Sequence, residues 1–288
     1  MDDLSLGVTA MTGAGLSHLR GLPKLKKLHL DNLTAKQTDG RTFTEAGSQA
    51  LGTLVQLETL SAARGNLGEP HVRFTEAVGK LANLRRLEIG DGTSISDSHL
   101  AALSGLSKLE VVNFSNSRVT GTGLVHLKAS SATIKEVHLF YGCPVTDAGM
   151  LALAATLPNV ERVVLGNDSV CGPDALRALT GLKKLRYLTW MSKTPLANAD
   201  PAQFALMPAL ERLIISYTPM TDTGMAGIAL CKQLTFLSIA NTALTDACLS
   251  HLEKLRSLRT LHCGKGTQVT EAGLAAFQKA RSDVKVER

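Results

Sequence analysis

The residues that could carry chemistry in this chain are five cysteines, a few histidines and one glycine-lysine loop. The cysteines are odd in number, widely spaced and form no C-x-x-C pair, which is typical neither of a disulfide framework nor of a zinc site: Cys143, Cys171, Cys231, Cys248 and Cys263. Neither Cys143 nor Cys171 has an adjacent histidine that could activate a thiol nucleophile. Gly264-Lys265-Gly266-Thr267 lacks the spacing of a phosphate-binding loop. The sequence therefore predicts no catalytic residue, no metal and no cofactor.

The composition excludes several classes of protein. Of 288 residues, 44% are hydrophobic and 19% are charged, so the chain is too apolar for a disordered one. No apolar run approaches the ~20 residues that a membrane helix needs, and Met1-Asp2-Asp3 does not begin a signal peptide. We expect a soluble protein, cytoplasmic or otherwise intracellular, with delivery into a host cell left open.

The sequence contains an internal repeat, and this repeat determines the elements that would position any site. A fragment L-x-x-L-x-L recurs, and its fourth positions follow one another at steps of 24 to 27 residues after a first step of 32. The fragments begin at Leu25, Leu57, Leu84, Leu109, Ile134, Val160, Leu185, Leu210, Leu234 and Leu258. A second phrase, V-T-D-A-G-L-x-x-L, is clearest at Val145-Met150 and Leu244-Leu249. Its Thr/Asp pair predicts a helix N-cap, and the leucines after it have helical spacing.

Each unit therefore predicts a strand, a turn, a helix and a loop. One such unit cannot bury its own apolar side, so stacked units must share a core. Parallel strands would line the concave side and helices the convex side. Helices are about twice as wide as the ~4.8 Å strand spacing, which bends the stack. We predict an α/β fold, a right-handed horseshoe solenoid of about ten full repeats in a single domain 1–288, with half-repeats at 1–24 and 264–288.

These phrases resemble leucine-rich repeats. The T-D-A-G-L phrase after the strand is similar to the cysteine-containing, ribonuclease-inhibitor-like subfamily found in F-box substrate receptors and bacterial effectors, although most of the subfamily's cysteine positions differ here. The resemblance covers residues 8 to about 286. It implies binding of macromolecules rather than one chemistry.

Alternation along each strand sorts the outward residues into rows. If positions four and six of a fragment point into the core, positions three, five and seven point out of the sheet. Only 4% of residues are aromatic, yet five aromatic residues fall on or beside these rows between the fifth and ninth fragments. Exposed aromatic clusters with arginine are typical of contact sites, although large rings can also simply cover a sheet. We predict a partner-binding patch of Glu136, His138, Phe140, Tyr141, Arg162, Val164, Tyr187, Met191, Arg212, Ile214, Tyr217 and Phe236.

The remaining outward residues argue against other ligands. His29, His138 and His262 share one row, but the nearest two lie four strands apart, about 19 Å, which no metal ion bridges. The net charge of +6 is not gathered into one stripe: Lys27, Asp31, Arg64, Arg86, Glu88 and Asp91 mix both signs. We therefore predict no nucleic-acid partner and no membrane insertion.

The expected function is non-enzymatic recognition of a protein or peptide on the concave sheet. The alternative is the substrate-recruiting domain of a larger ubiquitin-ligase-like or effector protein with its catalytic part elsewhere. The flanking sequence would distinguish the two hypotheses. Further repeats would favour recognition alone, and a catalytic or F-box-like domain would favour the alternative. A purely structural role is the third hypothesis.

Several stretches depart from the repeat. An insertion at 34–41 and Gly65-Pro70 could be binding loops or tolerated surface insertions. Lys193-Pro208 loses the T-D phrase but keeps apolar residues at Leu196, Phe204 and Leu206. Val8-Thr9 and Gly15-Leu19 resemble the helix phrase without a preceding strand, and Val284-Val286 predicts the start of another strand. The chain is either a piece of a longer protein or one with degenerate half-repeats as caps.

Overall fold

A computed structural model describes residues 1–7, 13–31, 44–63, 71–90, 95–194 and 201–288 of the chain. The described residues form two compact units. The first contains residues 1–143 and 155–157, and the second contains residues 144–154 and 158–288. The insertion at 34–41, Gly65-Pro70, Val8-Thr9, Arg64, Asp91 and Leu196 lie outside the described residues.

The first unit contains six strands that pair in parallel and in chain order. They are β1 (Asp3–Ser5), β2 (Lys27–His29), β3 (Thr59–Ala63), β4 (Arg86–Gly90), β5 (Val111–Asn113) and β6 (Glu136–Leu139). Its helical segments are α1 (Glu45–Leu51), α2 (His71–Val78) and the 3₁₀ helices Ala14–Gly21, Asp97–Leu103 and Thr122–Ser130.

The second unit repeats the arrangement with six more parallel strands in chain order. These are β7 (Arg162–Leu165), β8 (Tyr187–Thr189), β9 (Arg212–Ile214), β10 (Phe236–Ser238), β11 (Thr260–His262) and β12 (Lys285–Glu287). The helices are α3 (Asp147–Thr156), of which the last two residues belong to the first unit, α4 (Pro173–Leu179), α5 (Met225–Ile228), α6 (Ala247–Leu252), α7 (Glu271–Ala280) and the 3₁₀ helices Pro201–Leu206 and Asp222–Gly224.

The core of each unit is built from the inward strand positions. In all ten fragments the side chains at positions four and six are at most 1% exposed. They include the largest buried side chain, Trp190, at position six of its fragment. Burial of a leucine-sized side chain contributes about 1.5–3 kcal/mol, so these positions supply much of the driving force for stacking. The predicted inward positions are confirmed, whereas several positions predicted to face outward are also buried, among them Ser61, Thr189, Ser216 and Ser238.

One expectation about the elements was wrong. A strand, β1, does precede the first helix phrase and pairs with β2 through Leu4 and Leu28. Leu4-Ser5-Leu6 supplies positions four and six of a fragment without the leading leucine that marks the others. Five of the described helical segments are 3₁₀ rather than α, the tighter form that is common in short pieces. In the irregular stretch 193–208, Phe204 is buried but Leu206 is 60% exposed.

The threonine and the aspartate of the helix phrase have separate structural roles. The threonine caps its own helix: Thr146 Oγ1 accepts from Gly149 N at 3.2 Å, and Thr270 Oγ1 from Gly273 N at 2.9 Å. The aspartate instead reaches forward to the next repeat. Asp246 accepts from the backbone N–H and the hydroxyl of Thr270, each at 2.7 Å. The prediction of an N-cap was therefore right for threonine and wrong for aspartate as a cap of its own helix.

The forward aspartate bond recurs along the chain. Asp97 accepts from Thr120, Gly121 and Gly123, with the shortest distance, 2.7 Å, to Gly123 N. The same carboxylate position bonds the next repeat at two further places: Asp147 to Gly172 N and Ala175 N, and Asp222 to Thr245 N and Oγ1. These bonds satisfy N–H groups that a helix start leaves without intrahelical partners.

A buried arginine fixes the turn between α7 and β12. Arg281 is 2% exposed and donates to the carbonyl oxygens of Leu255 at 2.8 Å and Leu258 at 3.1 Å. Its Nε also pairs with Asp283 at 2.8 Å. The guanidinium thus satisfies carbonyls that follow α6, and it holds two successive repeats together. Within the described residues, no helix is both long and apolar enough to cross a bilayer.

Candidate functional site: the outward face of the strands

Position three of β7 to β10 brings two arginines and two aromatic residues into one row. Arg162 is the register partner of Tyr187, Tyr187 of Arg212, and Arg212 of Phe236. The strands alternate their side chains, and the inward neighbours Val163, Leu188, Leu213 and Leu237 are fully buried. The four outward side chains therefore stand side by side across four neighbouring strands of the second unit.

These four side chains stack on one another. The guanidinium carbon of Arg162 lies 4.1 Å from the centre of the Tyr187 ring. That of Arg212 lies 5.7 Å from the Tyr187 ring and 3.8 Å from the Phe236 ring. Arg212 is exposed and the other three side chains are half-buried. Each such contact is worth about 0.5–2 kcal/mol, so the stack is a preformed surface, which we call the arginine–aromatic ladder.

Apolar side chains border the ladder on the same face. Val164 and Ile214 occupy position five of their fragments, Met191 occupies position seven beyond the end of β8, and all three are half-buried. Thr189, the register partner of both Val164 and Ile214, is only 3% exposed. The row beside the ladder is therefore a shallow apolar strip with little polar character of its own.

Two tyrosines stand at the ends of strands in an unusual backbone conformation. Tyr217 is 56% exposed and has φ 60°, and Tyr141 of the first unit is 58% exposed and has φ 41°. The equivalent residues in other repeats are Asn116 and Asn241, with φ 55° and 54°. This left-handed region suits asparagine and costs other side chains about 1–2 kcal/mol. The turn thus tolerates the tyrosines without favouring them.

The remaining predicted site residues belong to the first unit. Glu136 and His138 lie on β6 and pair through Oε2 and Nε2 at 3.1 Å. The rings of Phe140 and Tyr141 meet with centroids 4.0 Å apart and planes inclined at 59°. All twelve predicted site residues are at least partly exposed, four in the first unit and eight in the second. That they bind a partner stays a prediction.

A chain of hydroxyls leading to a histidine was not foreseen. Ser216 Oγ lies 3.1 Å from Ser238 Oγ, which lies 2.8 Å from His262 Nδ1. His262 is in register with Glu287 on β12. A serine, a histidine and a carboxylate on one row resemble a nucleophile with its base, but Ser238 is 4% exposed and Glu287 pairs with Lys285 at 2.7 Å. The chain therefore orients the imidazole and keeps the serine hydroxyl away from solvent. Ser238 and His262 occupy position five of neighbouring fragments, so the sequence could have predicted that they lie next to each other.

The cysteines are buried and unpaired with one another. Burial raises the pKa of the Cys171 thiol to about 12, with the nearby Asp147 carboxylate adding to the rise. Burial likewise raises the pKa of Cys231 to about 12. Such thiols carry almost no thiolate at neutral pH and are poor nucleophiles. Among the described residues, no three His, Cys, Asp or Glu side chains gather as a metal site would require.

Comparison with known proteins agrees with this architecture. An internalin from Listeria monocytogenes superposes with a TM-score of 0.61 at 19% identity, over 93% of this chain and 75% of that one. A leucine-rich repeat protein from Leptospira interrogans superposes with a TM-score of 0.53 at 16% identity, over 94% and 74%. The chain has the leucine-rich repeat fold. Assignment to the cysteine-containing subfamily stays a prediction.

Sequence comparison finds a relative that matches only part of the chain. No family model matches the chain. A putative RNA-binding protein of Caenorhabditis elegans is 24% identical over 190 residues, which is 65% of this chain and 24% of that protein. This chain thus spans about a quarter of the length of that relative.

Proposed function

We propose that this leucine-rich repeat chain is a non-enzymatic recognition scaffold that binds a protein or peptide through the outward face of its strands. The observation that carries the proposal is the arginine–aromatic ladder of Arg162, Tyr187, Arg212 and Phe236. Arginine and aromatic residues are the types that dominate binding energy at protein interfaces. Here they are stacked before any partner arrives, which lowers the conformational entropy lost on binding.

The exposed tyrosine beside the ladder supports the same function. Tyr217 occupies a left-handed turn position where Asn241 of the next repeat fits with less strain. A large, rigid ring with a hydroxyl at its tip gives contact area at a small loss of side-chain entropy. We infer that Tyr217 extends the contact surface from the ladder to the end of β9.

Site-specific photo-crosslinking tests the proposal. A benzophenone amino acid at Phe236 is expected to form adducts with a protein in lysate of the source organism. The same group at Leu206, which is 60% exposed on a 3₁₀ helix, is the matched control and is expected to form none of these adducts. Excess wild-type protein should abolish the adducts, and excess Tyr187→Ala/Phe236→Ala protein should not. Identical adducts from both positions would overturn the assignment of the face.

Single-stranded RNA is a second candidate ligand. Surfaces that bind it combine basic and aromatic side chains, as the ladder does, and the relative in Caenorhabditis elegans is named a putative RNA-binding protein. Treatment of the adducts separates the two candidates. Adducts removed by ribonuclease favour RNA, and adducts that survive ribonuclease but not protease favour the protein partner.

The wider setting of the scaffold is also a proposal. Five buried cysteines outside any disulfide fit a reducing compartment, which supports an intracellular location. Recruitment of substrates for a ubiquitin-ligase-like or effector protein is one way in which such a scaffold would be used.

A further inference from the structure

We propose that the second unit binds the surface of an anionic lipid bilayer through the loops that lead into β9 to β12. Leu206 and Leu230 enter the edge of the hydrocarbon, and basic side chains beside them pair with lipid headgroups. These loops precede the strands, whereas Tyr217 follows its strand, so the inference concerns another surface and is independent of the proposed function. It is carried by the exposure of the two leucines, by the groove between their loops and by the charges around them.

The two leucines are equivalent residues of neighbouring repeats. Each stands four residues before the first position of its fragment, which is Leu210 for Leu206 and Leu234 for Leu230. In the other repeats this position holds a small, polar or charged residue: Gly21, Thr53, Lys80, Gly105, Ser130, Thr156, Gly181 and Lys254. Leu206 is 60% exposed and Leu230 is 58% exposed, so neither adds much to the core. Adjacent apolar side chains that face solvent are typical of a contact surface.

A groove connects the two leucine loops. It has a volume of about 300 Å³, and its lining includes Met207 and Pro208 of one loop and Leu230 of the next. The apolar surface therefore extends from loop to loop and is larger than two isolated leucines. Lys232 lines the same groove, so a basic side chain stands directly beside the apolar surface.

Exposed basic side chains continue this surface into the following repeats. Lys254 occupies the position of the two leucines in the next loop, and Lys279, near the end of α7, occupies it in the loop after that. Lys232 and Arg256 are likewise equivalent residues, each two positions before its fragment. All four side chains are exposed, and among the contacts that the structure records in these loops none of them has a hydrogen bond or an ion pair.

Most of the acid in these loops is already neutralised. Residues 205–211, 229–235, 253–259 and 279–285, all of them described, contain three acids, Glu211, Glu253 and Asp283. Glu211 pairs with Arg186 at 2.7 Å, and Asp283 pairs with Arg281 at 2.8 Å. Glu253 remains, and the four exposed cations outnumber it. Positive charge beside apolar surface complements a bilayer, in which anionic headgroups lie beside hydrocarbon.

The residue types favour a bilayer over an acidic peptide. Three of the four exposed cations are lysines, and a lysine ammonium is a point charge on a flexible stem that needs no fixed partner geometry. A lipid surface offers anionic headgroups at every lateral position, so cations on successive repeats are neutralised together. Leu206 and Leu230, each more than half exposed, protrude as side chains that enter an apolar phase do.

Vesicle flotation of the full chain tests this inference. The probes are vesicles of phosphatidylcholine alone and of phosphatidylcholine with ~30% phosphatidylserine. We expect about tenfold stronger binding to the anionic vesicles, and we expect ~0.5 M salt to remove this preference, because it screens the charges. Equal binding to both kinds of vesicle in low salt, or binding to neither, would overturn the inference.

Variants of the chain localise the contact. Leu206→Ser/Leu230→Ser is expected to weaken binding to anionic vesicles about tenfold. Lys232→Gln/Lys254→Gln is expected to weaken it about thirtyfold, since each basic residue near a charged bilayer contributes about fivefold.

Two double variants are the matched controls. Leu151→Ser/Val170→Ser removes apolar side chains that are 52% and 49% exposed elsewhere in the second unit. Lys193→Gln/Lys265→Gln removes two exposed lysines that follow β8 and β11 at the opposite ends of the strands. Each control should change binding by less than about twofold. A loss in the controls as large as in the loop variants would overturn the inference.

A gain of binding and a local probe exclude mere loss of structure. Lys232→Glu/Lys254→Glu should lose the anionic vesicles and bind vesicles that contain a cationic lipid. The native cysteines are buried, so an environment-sensitive dye can be attached at Leu230→Cys, and its emission should shift to shorter wavelength on anionic vesicles. Binding without this shift would overturn the inference.

Two further measurements separate the alternatives. A glutamate-rich amphipathic peptide that binds more tightly than the anionic vesicles, and depends on Leu206 and Leu230, would overturn the inference in favour of a peptide partner. Tyr187→Ala/Phe236→Ala protein should bind the vesicles as the wild type does. A loss of vesicle binding in that variant would place the lipid contact on the outward face of the strands and overturn the assignment to the loops.

Discussion

At the scale of single residues, the turn after each strand shows where folding and binding make different demands. Asn116 and Asn241 occupy a left-handed conformation that asparagine adopts readily, and Tyr217 adopts it with φ 60°. The tyrosine ring gains little from burial, since 56% of the residue is exposed. Stability therefore does not explain the tyrosine at this position, whereas the partner contact proposed above would.

Replacement of Tyr217 by asparagine should therefore stabilise the chain. We expect Tyr217→Asn to raise the free energy of unfolding by about 1 kcal/mol and the reciprocal change Asn241→Tyr to lower it by a similar amount. Equilibrium unfolding in urea measures both. A less stable Tyr217→Asn protein would contradict the account of the turn.

Asp97 is a residue whose contribution to stability should depend on pH. Burial raises the pKa of its carboxyl, but hydrogen bonds from the N–H groups of Gly123 and Thr120, and from the hydroxyls of Thr120 and Thr122, together lower it below its ordinary value of 3.8. As pH falls, the unfolded carboxyl takes up a proton first. The contribution of Asp97 is thus complete above the unfolded pKa and is lost as pH falls through the folded pKa.

Asp97→Asn tests this pH dependence. At pH ~7 we expect a loss of about 1 kcal/mol in the free energy of unfolding, allowing for solvent screening of a half-buried group, and a smaller loss at pH ~3. Asp174→Asn is the control, because its carboxylate lies on the exposed surface of α4 and pairs only with Arg177 among the contacts that the structure records there. A difference between wild type and Asp97→Asn that does not shrink in acid would contradict the prediction.

At the scale of elements, the forward aspartate explains the glycine of the helix phrase. A Cβ on Gly123 would lie 2.5 Å from the carbonyl oxygen and 2.7 Å from the Cα of Asp97. A Cβ on Gly273 would lie 2.3 Å from the carboxylate of Asp246. The glycine is there because the preceding repeat packs against it, which adds a steric reason to the hydrogen bonds that join the two elements.

Gly123→Ala should consequently be costly despite the better helix propensity of alanine. Because the backbone of Asp97 has to move, we expect a loss of about 1–3 kcal/mol in the free energy of unfolding. Gly105→Ala, where nothing lies within 4 Å of the added Cβ, should change it by less than about 0.5 kcal/mol. Thermal unfolding of both variants decides whether crowding or propensity dominates.

Whether an element can be predicted from the sequence depends on whether the interactions that form it lie within one repeat or between repeats. Strand positions could be predicted because each inward side chain is apolar by itself, as Leu28 and Leu60 are. β1 was missed because Leu4-Ser5-Leu6 is half a fragment. The bond from Asp246 to Thr270 could not be predicted, since it joins residues of different repeats and exists only once they stack.

The same distinction holds for the candidate site. The alternation of strand positions in the sequence predicted that one outward row contains Arg162, Tyr187, Arg212 and Phe236. It did not show that the guanidinium groups cover the rings, because side-chain torsions are not fixed by strand register. The charge argument against nucleic acid considered only the signs of the outward charges, and it did not predict that neighbouring strands bring guanidinium carbons to 3.8 and 4.1 Å from the centres of aromatic rings.

At the scale of the whole molecule, the two units are alike in how they keep their reactive groups inside. All five cysteines are buried. Desolvation raises the pKa of Cys248 to about 12 and that of Cys263 to about 11, in the latter case against the lowering effect of Arg288. Low reactivity of the thiols in the native chain follows from this burial.

Thiol labelling should report on unfolding. With a disulfide reagent at pH ~8, we expect no cysteine to react quickly in the native protein and all five to react in urea, because the thiolate forms only after solvent reaches the sulfur. Rapid labelling of one or more thiols before unfolding would contradict the buried assignment. A count of modified thiols by mass spectrometry distinguishes the outcomes.

The forward reach of the aspartates also bears on how such a chain can change its length. A duplicated copy of a repeat that has both residues, such as the one with Thr245 and Asp246, would carry an acid for its successor and a threonine for its predecessor, so duplication of that whole repeat recreates the junction. A gain or loss of a few residues inside the phrase would leave an acid facing the wrong atoms. The junction therefore favours genetic changes that add or remove whole repeats.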